Sequence, residues 1–229
     1  VFVVSAEDAD PAGDASFLTL PMDFKDAEAK NTHSGLMGFT FTAKANITVT
    51  ALGRPDVIGG AAMTREHELA IWQVQWNEDR TEKTMPVQLG KVTVSPDSPE
   101  NNGYRYGNLE KPVEIVAGRE YIITSAEYYG EDNWLNGYTV TGKYDTHIID
   151  EIDPVYSADY NGDNIGMQNP GGRGAGQAHD ALNFWYTETT EDPGSEDPGS
   201  EEPSGTAPAG DDSFLKGAFD STGLDMRNS

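Results

Sequence analysis

The sequence predicts an all-β fold: an antiparallel, jelly-roll-like β-sandwich of about ten short strands, followed by a disordered acidic linker. Three observations predict it. Apolar residues recur at every second position, Asn-Gly and Pro signals punctuate the runs, and no stretch of ten or more residues carries a helical stripe. Many short strands without βα alternation are the pattern of a sandwich or barrel. The chain has 229 residues, of which 36% are hydrophobic and 10% aromatic, enough for one sizeable core.

At the start, Val1, Phe2, Val3 and Val4 give way abruptly to acidic residues. The run reads as the end of a secretory h-region, with Val4 and Ala6 at small-residue cleavage positions and a mature chain from near Glu7. A first β-strand is the other reading. Residues 1–11 are therefore expected to be a signal remnant and acidic leader, which places the protein outside the cell or on its surface.

Residues 12–187 form the predicted module. Phe39 and Phe41 alternate with Thr40 and Thr42, and Ile47, Val49 and Ala51 alternate with Thr48 and Thr50, as half-buried strands with outward hydroxyls. Further strands are expected over 68–76, 88–95, 104–109, 113–116, 121–128, 138–141, 146–149 and 182–187. Asn102-Gly103 and Asn136-Gly137 are expected tight turns. Pro86 and Pro112 mark strand entries, where a missing N–H costs least. Trp72, Val74 and Trp76 share a strand face and are expected to pack in the core or between sheets. Phe184 and Trp185 point to opposite faces, so at most one faces the core.

Residues 188–210 read as a linker. Prolines fall at 193, 198, 203 and 208, and seven acids lie there without a base. Nothing in it can repay ordering, and stiff Pro with like charges gives an extended spacer. Beyond it, Pro208 to Leu215 repeats Pro11 to Leu18 with one mismatch, and Arg227, Asn228 and Ser229 echo Lys30, Asn31 and Thr32. Residues 211–229 are thus expected to begin a second copy of the module, making tandem domains neighbours in one chain.

Net charge is -24, from 39 acids against 15 bases. A nucleic-acid binder needs a basic stripe, which this chain lacks, and an anionic membrane surface would repel it. No other stretch has the apolar length of a spanning helix, so membrane insertion is not expected. With no cysteine, disulfide, thiolate-metal and thiol-nucleophile chemistry are excluded.

No nucleophile elbow, phosphate-binding loop or zinc motif is present. The glycines around Gly171–Gly176 read as a flexible loop, and His33, His67, His147 and His179 lack ligand spacing. Two constellations remain. Glu127, Tyr128, Tyr129, Asp132 and Trp134 crowd one strand end as a sugar platform, because aromatic faces stack on pyranose C–H surfaces and carboxylates bond hydroxyls. The other reading has Trp134 and one Tyr plugging the sandwich end beneath solvated acids. Asp159, Asn161 and Asp163 place oxygen ligands on alternate residues, the spacing of a Ca²⁺ loop. Pro170 stands where an EF-hand would place its bidentate Glu, and an Asx-rich turn is the alternative. No cofactor is required.

Several stretches together carry a resemblance. They are Gly38-Phe39-Thr40-Phe41-Thr42, Val49-Thr50-Ala51-Leu52-Gly53-Arg54, His67, Pro112-Val113, Ala117-Gly118, Tyr121, and Ser125, Glu127, Gly130, Asp132 and Trp134. In this order they resemble a poorly characterised β-sandwich accessory module of secreted, multi-domain bacterial proteins, often found beside glycoside hydrolases. Glu131 and Pro55 depart from that pattern, where a second Gly and an aromatic often stand. The resemblance implies an accessory module rather than a named activity, with carbohydrate or surface binding as the role expected of it. A structural spacer repeat of a surface stalk or adhesin is the alternative, and a hydrolase in this module is the least favoured reading.

Overall fold

The computed structural model describes residues 11–19, 21–161 and 176–189. The chain divides after Thr190 into two units, and every described residue belongs to the first. The expected leader up to Asp10, the linker from Thr190 onward and the repeated module start lie outside the described residues.

In chain order the strands are β1 (Ala15–Ser16), β2 (Ala29–Lys30), β3 (Gly35–Ala43), β4 (Ile47–Pro55), β5 (Val57–Ile58), β6 (Ala61–Ala62), β7 (His67–Trp76) and β8 (Lys83–Val94). There follow β9 (Glu100–Asn101), β10 (Tyr104–Ile115), β11 (Glu120–Glu127), β12 (Trp134–Leu135), β13 (Tyr138–Thr139), β14 (Ile149–Ser157), β15 (Gln177–Ala178) and β16 (Asn183–Glu188). Two five-stranded antiparallel sheets, β1-β16-β4-β10-β9 and β14-β3-β11-β7-β8, hold ten of them. Three two-stranded ladders, β12-β2, β13-β15 and β5-β6, close the ends.

The pairings nest. The hairpin β7·β8 lies inside β4·β10, which lies inside β3·β11, which lies inside β1·β16. Successive shells fall in alternate sheets, and β7·β11 and β4·β16 join the shells within each sheet. This is jelly-roll connectivity, with β14 added beside β3 at one edge. The predicted fold class is the observed one.

Inward-facing residues of both sheets meet in one core. Phe184 is its aromatic hub, stacked on Phe17 at 4.9 Å and on Phe41 at 5.8 Å between ring centroids. Gly53 admits Tyr106, whose ring occupies the space a Cβ would fill. Trp185, on the opposite face of β16, is only half-buried. The octapeptide that recurs after the linker supplies β1 and buries Phe17 and Leu18 in this core, so the repeated residues are core-forming ones.

The outer face of the β14-β3-β11-β7-β8 sheet departs from expectation. Thr40 and Thr124 are buried rather than solvated, among Leu36, Ala70, Trp72, Val74, Ile122, Ala126 and Val155. Trp72 donates its Nε1–H to Thr124 Oγ1 at 3.0 Å. Trp76, four residues on, leaves this cluster and is 38% exposed.

Turn chemistry follows the sequence at Asn102 (φ 53°) and Gly103 (φ 89°), which link β9 to β10. Pro112 does not start a strand: the runs 104–109 and 113–116 form one strand, with a register shift between Asn108 and Val113 that takes up the Pro. The expected strand over 146–149 is mostly a turn, because the Asp145 carbonyl accepts the Ile148 N–H and its carboxylate accepts the His147 N–H. The strand begins at Ile149 and runs to Ser157 through Asp150, Glu151, Asp153 and Pro154, residues that resemble a loop but suit a sheet edge.

Candidate functional site

The candidate site is built where β11 ends and the chain loops through residues 128–133 to β12. Tyr129 sits at the loop tip and is 71% exposed. Tyr128 is half-buried, with the Arg65 guanidinium 3.7 Å from its ring centroid. Tyr160 stacks on Tyr128 at 5.5 Å and 25° between planes, while its hydroxyl donates to the Glu127 carbonyl at 2.8 Å. Tyr160 is itself 44% exposed. The surface therefore holds three tyrosines and Arg65, which Glu131 pairs at 3.6 Å.

The other expected platform residues lie beneath this surface. Trp134 is buried, its ring edge-on to His179 at 5.8 Å and to His33 at 6.2 Å. Glu127 is fully buried and receives two bonds from Arg54, Nε at 3.1 Å and Nη2 at 3.0 Å. Ser125 Oγ donates to the same carboxylate at 2.5 Å. Asp132 accepts the Thr64 and Arg65 N–H groups and the Thr64 hydroxyl. The acids are thus paired inside the protein, so the five residues do not present one common face: Tyr128 and Tyr129 form the surface, and Glu127, Asp132 and Trp134 support it.

His67 joins the two acids. Nδ1 faces the Ala126 carbonyl at 2.8 Å and Glu127 Oε1 at 3.3 Å, and Nε2 faces Asp132 Oδ2 at 3.0 Å. Both ring nitrogens therefore face acceptors. Burial by itself raises the Glu127 pKa, but the Arg54 guanidinium and His67 outweigh it and hold the carboxyl well below its usual range. Burial opposes Asp132 ionisation too, and its bonds from Thr64, His67 and Arg65 lower its pKa overall.

Asp180 completes the cluster from the β15–β16 connection. Its Oδ1 accepts the Leu135 N–H at 3.1 Å, while Oδ2 is buried without a hydrogen-bond partner among the described residues. Burial and the neighbouring Glu127 charge push its pKa well above the usual carboxylate range, against the pull of Arg54. The unfolded chain therefore gives up this proton near pH 4 while the folded chain keeps it, so Asp180 costs stability as pH rises through that window. Asp180→Asn should be more stable than the parent chain at pH 7, with the difference closing below about pH 4. Urea melts at both pH values check this, and a constant difference would refute it.

No protein-family model matches this chain, and no curated protein matches it. The residues that carried the resemblance converge here nonetheless. Arg54, His67, Ser125, Glu127 and Asp132, drawn from β4, β7, β11 and the following loop, form one buried network.

Asp159 Oδ1 accepts the Asn161 N–H at 3.1 Å in an Asx turn. Asp163 lies outside the described residues. Among the described residues no three His, Cys, Asp or Glu side chains are placed to hold a metal ion. Tyr160, between Asp159 and Asn161, is the surface residue the sequence did not single out. It joins the two constellations through its contacts with Tyr128 and Glu127, the latter 33 positions away in the chain.

Proposed function

We propose that the chain is a non-catalytic accessory binding module of an exported, multi-domain bacterial protein, directed at carbohydrate. The observation that carries this reading is the exposed pair Tyr129 and Tyr160, placed with Tyr128 and Arg65 on a surface whose underside is locked by buried ion pairs. Exposed aromatic faces on a rigid base stack on sugar rings at little entropic cost. A non-catalytic role is favoured because the densest group of ionisable side chains is sealed from solvent and spends its bonds on itself. Tandem copies joined by a stiff acidic linker would add avidity on a polymer. A structural spacer repeat is the second reading, favoured by the burial of Trp134, Glu127 and Asp132.

The test is a glycan array with the full chain, with and without millimolar Ca²⁺, repeated with Tyr129→Ala/Tyr160→Ala. Glycan binding that falls at least tenfold in the double variant, with an unchanged melting temperature, is expected. Absence of glycan binding in every condition would leave the spacer.

A further inference from the structure

A groove of about 520 Å³ opens at the far end of β7, beside the turn into β8. Trp76, the tryptophan that leaves the outer apolar cluster, lines it with Gln73, Gln75, Arg80, Arg119 and Glu151. Of the five described arginines, Arg54, Arg65 and Arg105 are paired with carboxylates. The remaining two, Arg80 and Arg119, have no ion pair or side-chain hydrogen bond among the described residues, and both line this groove.

The groove is also fixed in shape. Asn77 Oδ1 accepts the Thr81 and Glu82 N–H groups at 2.9 and 3.0 Å, closing a turn that holds Arg80 at φ 57°. Lys83 pairs with Glu120 at 2.6 Å and sets its ammonium 5.4 Å from the Trp76 ring centroid. This neutralises Glu120 and steadies the indole, leaving Arg80 and Arg119 against Glu151. The half-buried amides of Gln73 and Gln75 have no side-chain partner among the described residues.

From these placements we infer that the groove binds an acidic saccharide, with Trp76 stacking on a sugar face and Arg80 and Arg119 pairing its anionic group. A guanidinium fork matches a carboxylate or sulfate edge, and a solvent-open indole matches the C–H face of a pyranose. The net charge of the chain does not forbid this, because at physiological salt a charge acts over about 8 Å, so the groove's own cations dominate. The inference extends the proposed function to a second surface and takes its ligand class from it, but the tyrosine surface plays no part.

Affinity electrophoresis of the full chain in gels containing polygalacturonate, dextran sulfate or neutral dextran tests it. Retardation by at least one acidic polymer is expected, weakening with added salt. Polygalacturonate alone would assign a uronate, dextran sulfate alone a sulfate, and both a site that reads charge. Trp76→Ala should weaken retardation at least tenfold, and Arg80→Ala/Arg119→Ala should abolish the preference for acidic over neutral polymer. Both act at exposed positions, and thermal melts confirm folding. The inference is overturned if neither acidic polymer retards the chain, or if retardation survives both variants. Retardation lost only in Tyr129→Ala/Tyr160→Ala would also overturn it while leaving the binding-module reading intact.

Discussion

Arg54→Met is expected to destabilise the folded chain by about 3–5 kcal/mol, because it strands a buried carboxylate rather than merely removing a contact. Arg54 is 1% exposed and Glu127 0%, so water cannot replace the two lost bonds. For a domain of this size such a loss lowers the melting temperature by on the order of 10 °C. The pH dependence identifies the cause. In the native protein the Glu127 pKa is lowered, so its stabilisation is complete above its unfolded value of about 4.3 and is lost as pH falls. In the variant, desolvation without Arg54 raises that pKa, and the sign reverses: stability falls as pH rises from about 4. The deficit should therefore be larger at pH 7 than at pH 4. Arg54→Met/Glu127→Met, which removes both charges, should recover much of the loss. Equal deficits at the two pH values would show that packing, not charge, dominates.

Phe184→Ala is expected to cost a similar amount, about 3–5 kcal/mol, through a different mechanism. Phe184 lies on β16, which joins the short edge strand β1 to β4, and its ring meets Phe17 just beyond β1, Phe41 on β3 and Tyr186 on its own strand. Truncation opens a cavity that strands from both sheets border, and regular strand geometry limits its collapse. The effect should be independent of pH between 4 and 7, in contrast to Arg54→Met. Equilibrium urea unfolding at both pH values separates the two. A loss below about 1 kcal/mol would mean that the aromatic cluster relaxes into the gap.

The two substitutions also mark what can be read from a chain and what cannot. Alternation identified Phe39, Phe41, Val49 and Phe184 as members of strands with an apolar face, and the Asn102-Gly103 turn followed from the tolerance of both residues for positive φ. The failures have local causes. Pro112 was masked by a bulge, which a period-two pattern cannot show. β14 carries acids and a Pro because it lies at a sheet edge, and a lone strand's sequence does not reveal its place in a sheet. Thr40 is buried among the apolar side chains on the outer face of its sheet, whereas alternation assumes one wet face.

The site was legible in part. Tyr128 and Tyr129 could be picked out because aromatic residues beside a predicted strand end are few. The burial of Glu127 and Asp132 was not legible because, among 39 acids, sequence offers no sign of which is buried. Tyr160 and Trp76 were missed as surface residues, the first because its partner Tyr128 is 32 positions away, the second because its strand continues past the covered area.

By itself, then, the sequence determined most of the long strands, the alternation along them and the Asn102-Gly103 turn, since these depend on neighbours within a few residues. It also determined the acidic balance of the chain, 39 acids against 15 bases. Only the tertiary structure decided that Arg54 meets Glu127 across 73 positions, that Asp180 lies in the same cluster, and that two unpaired guanidiniums share a groove with Trp76. The physical reason is that period-two alternation fixes the face on which a side chain emerges but not the strand beside it. The nesting of the pairings decides which strands are neighbours, and electrostatics in a dry interior depends on those neighbours at distances of a few ångströms.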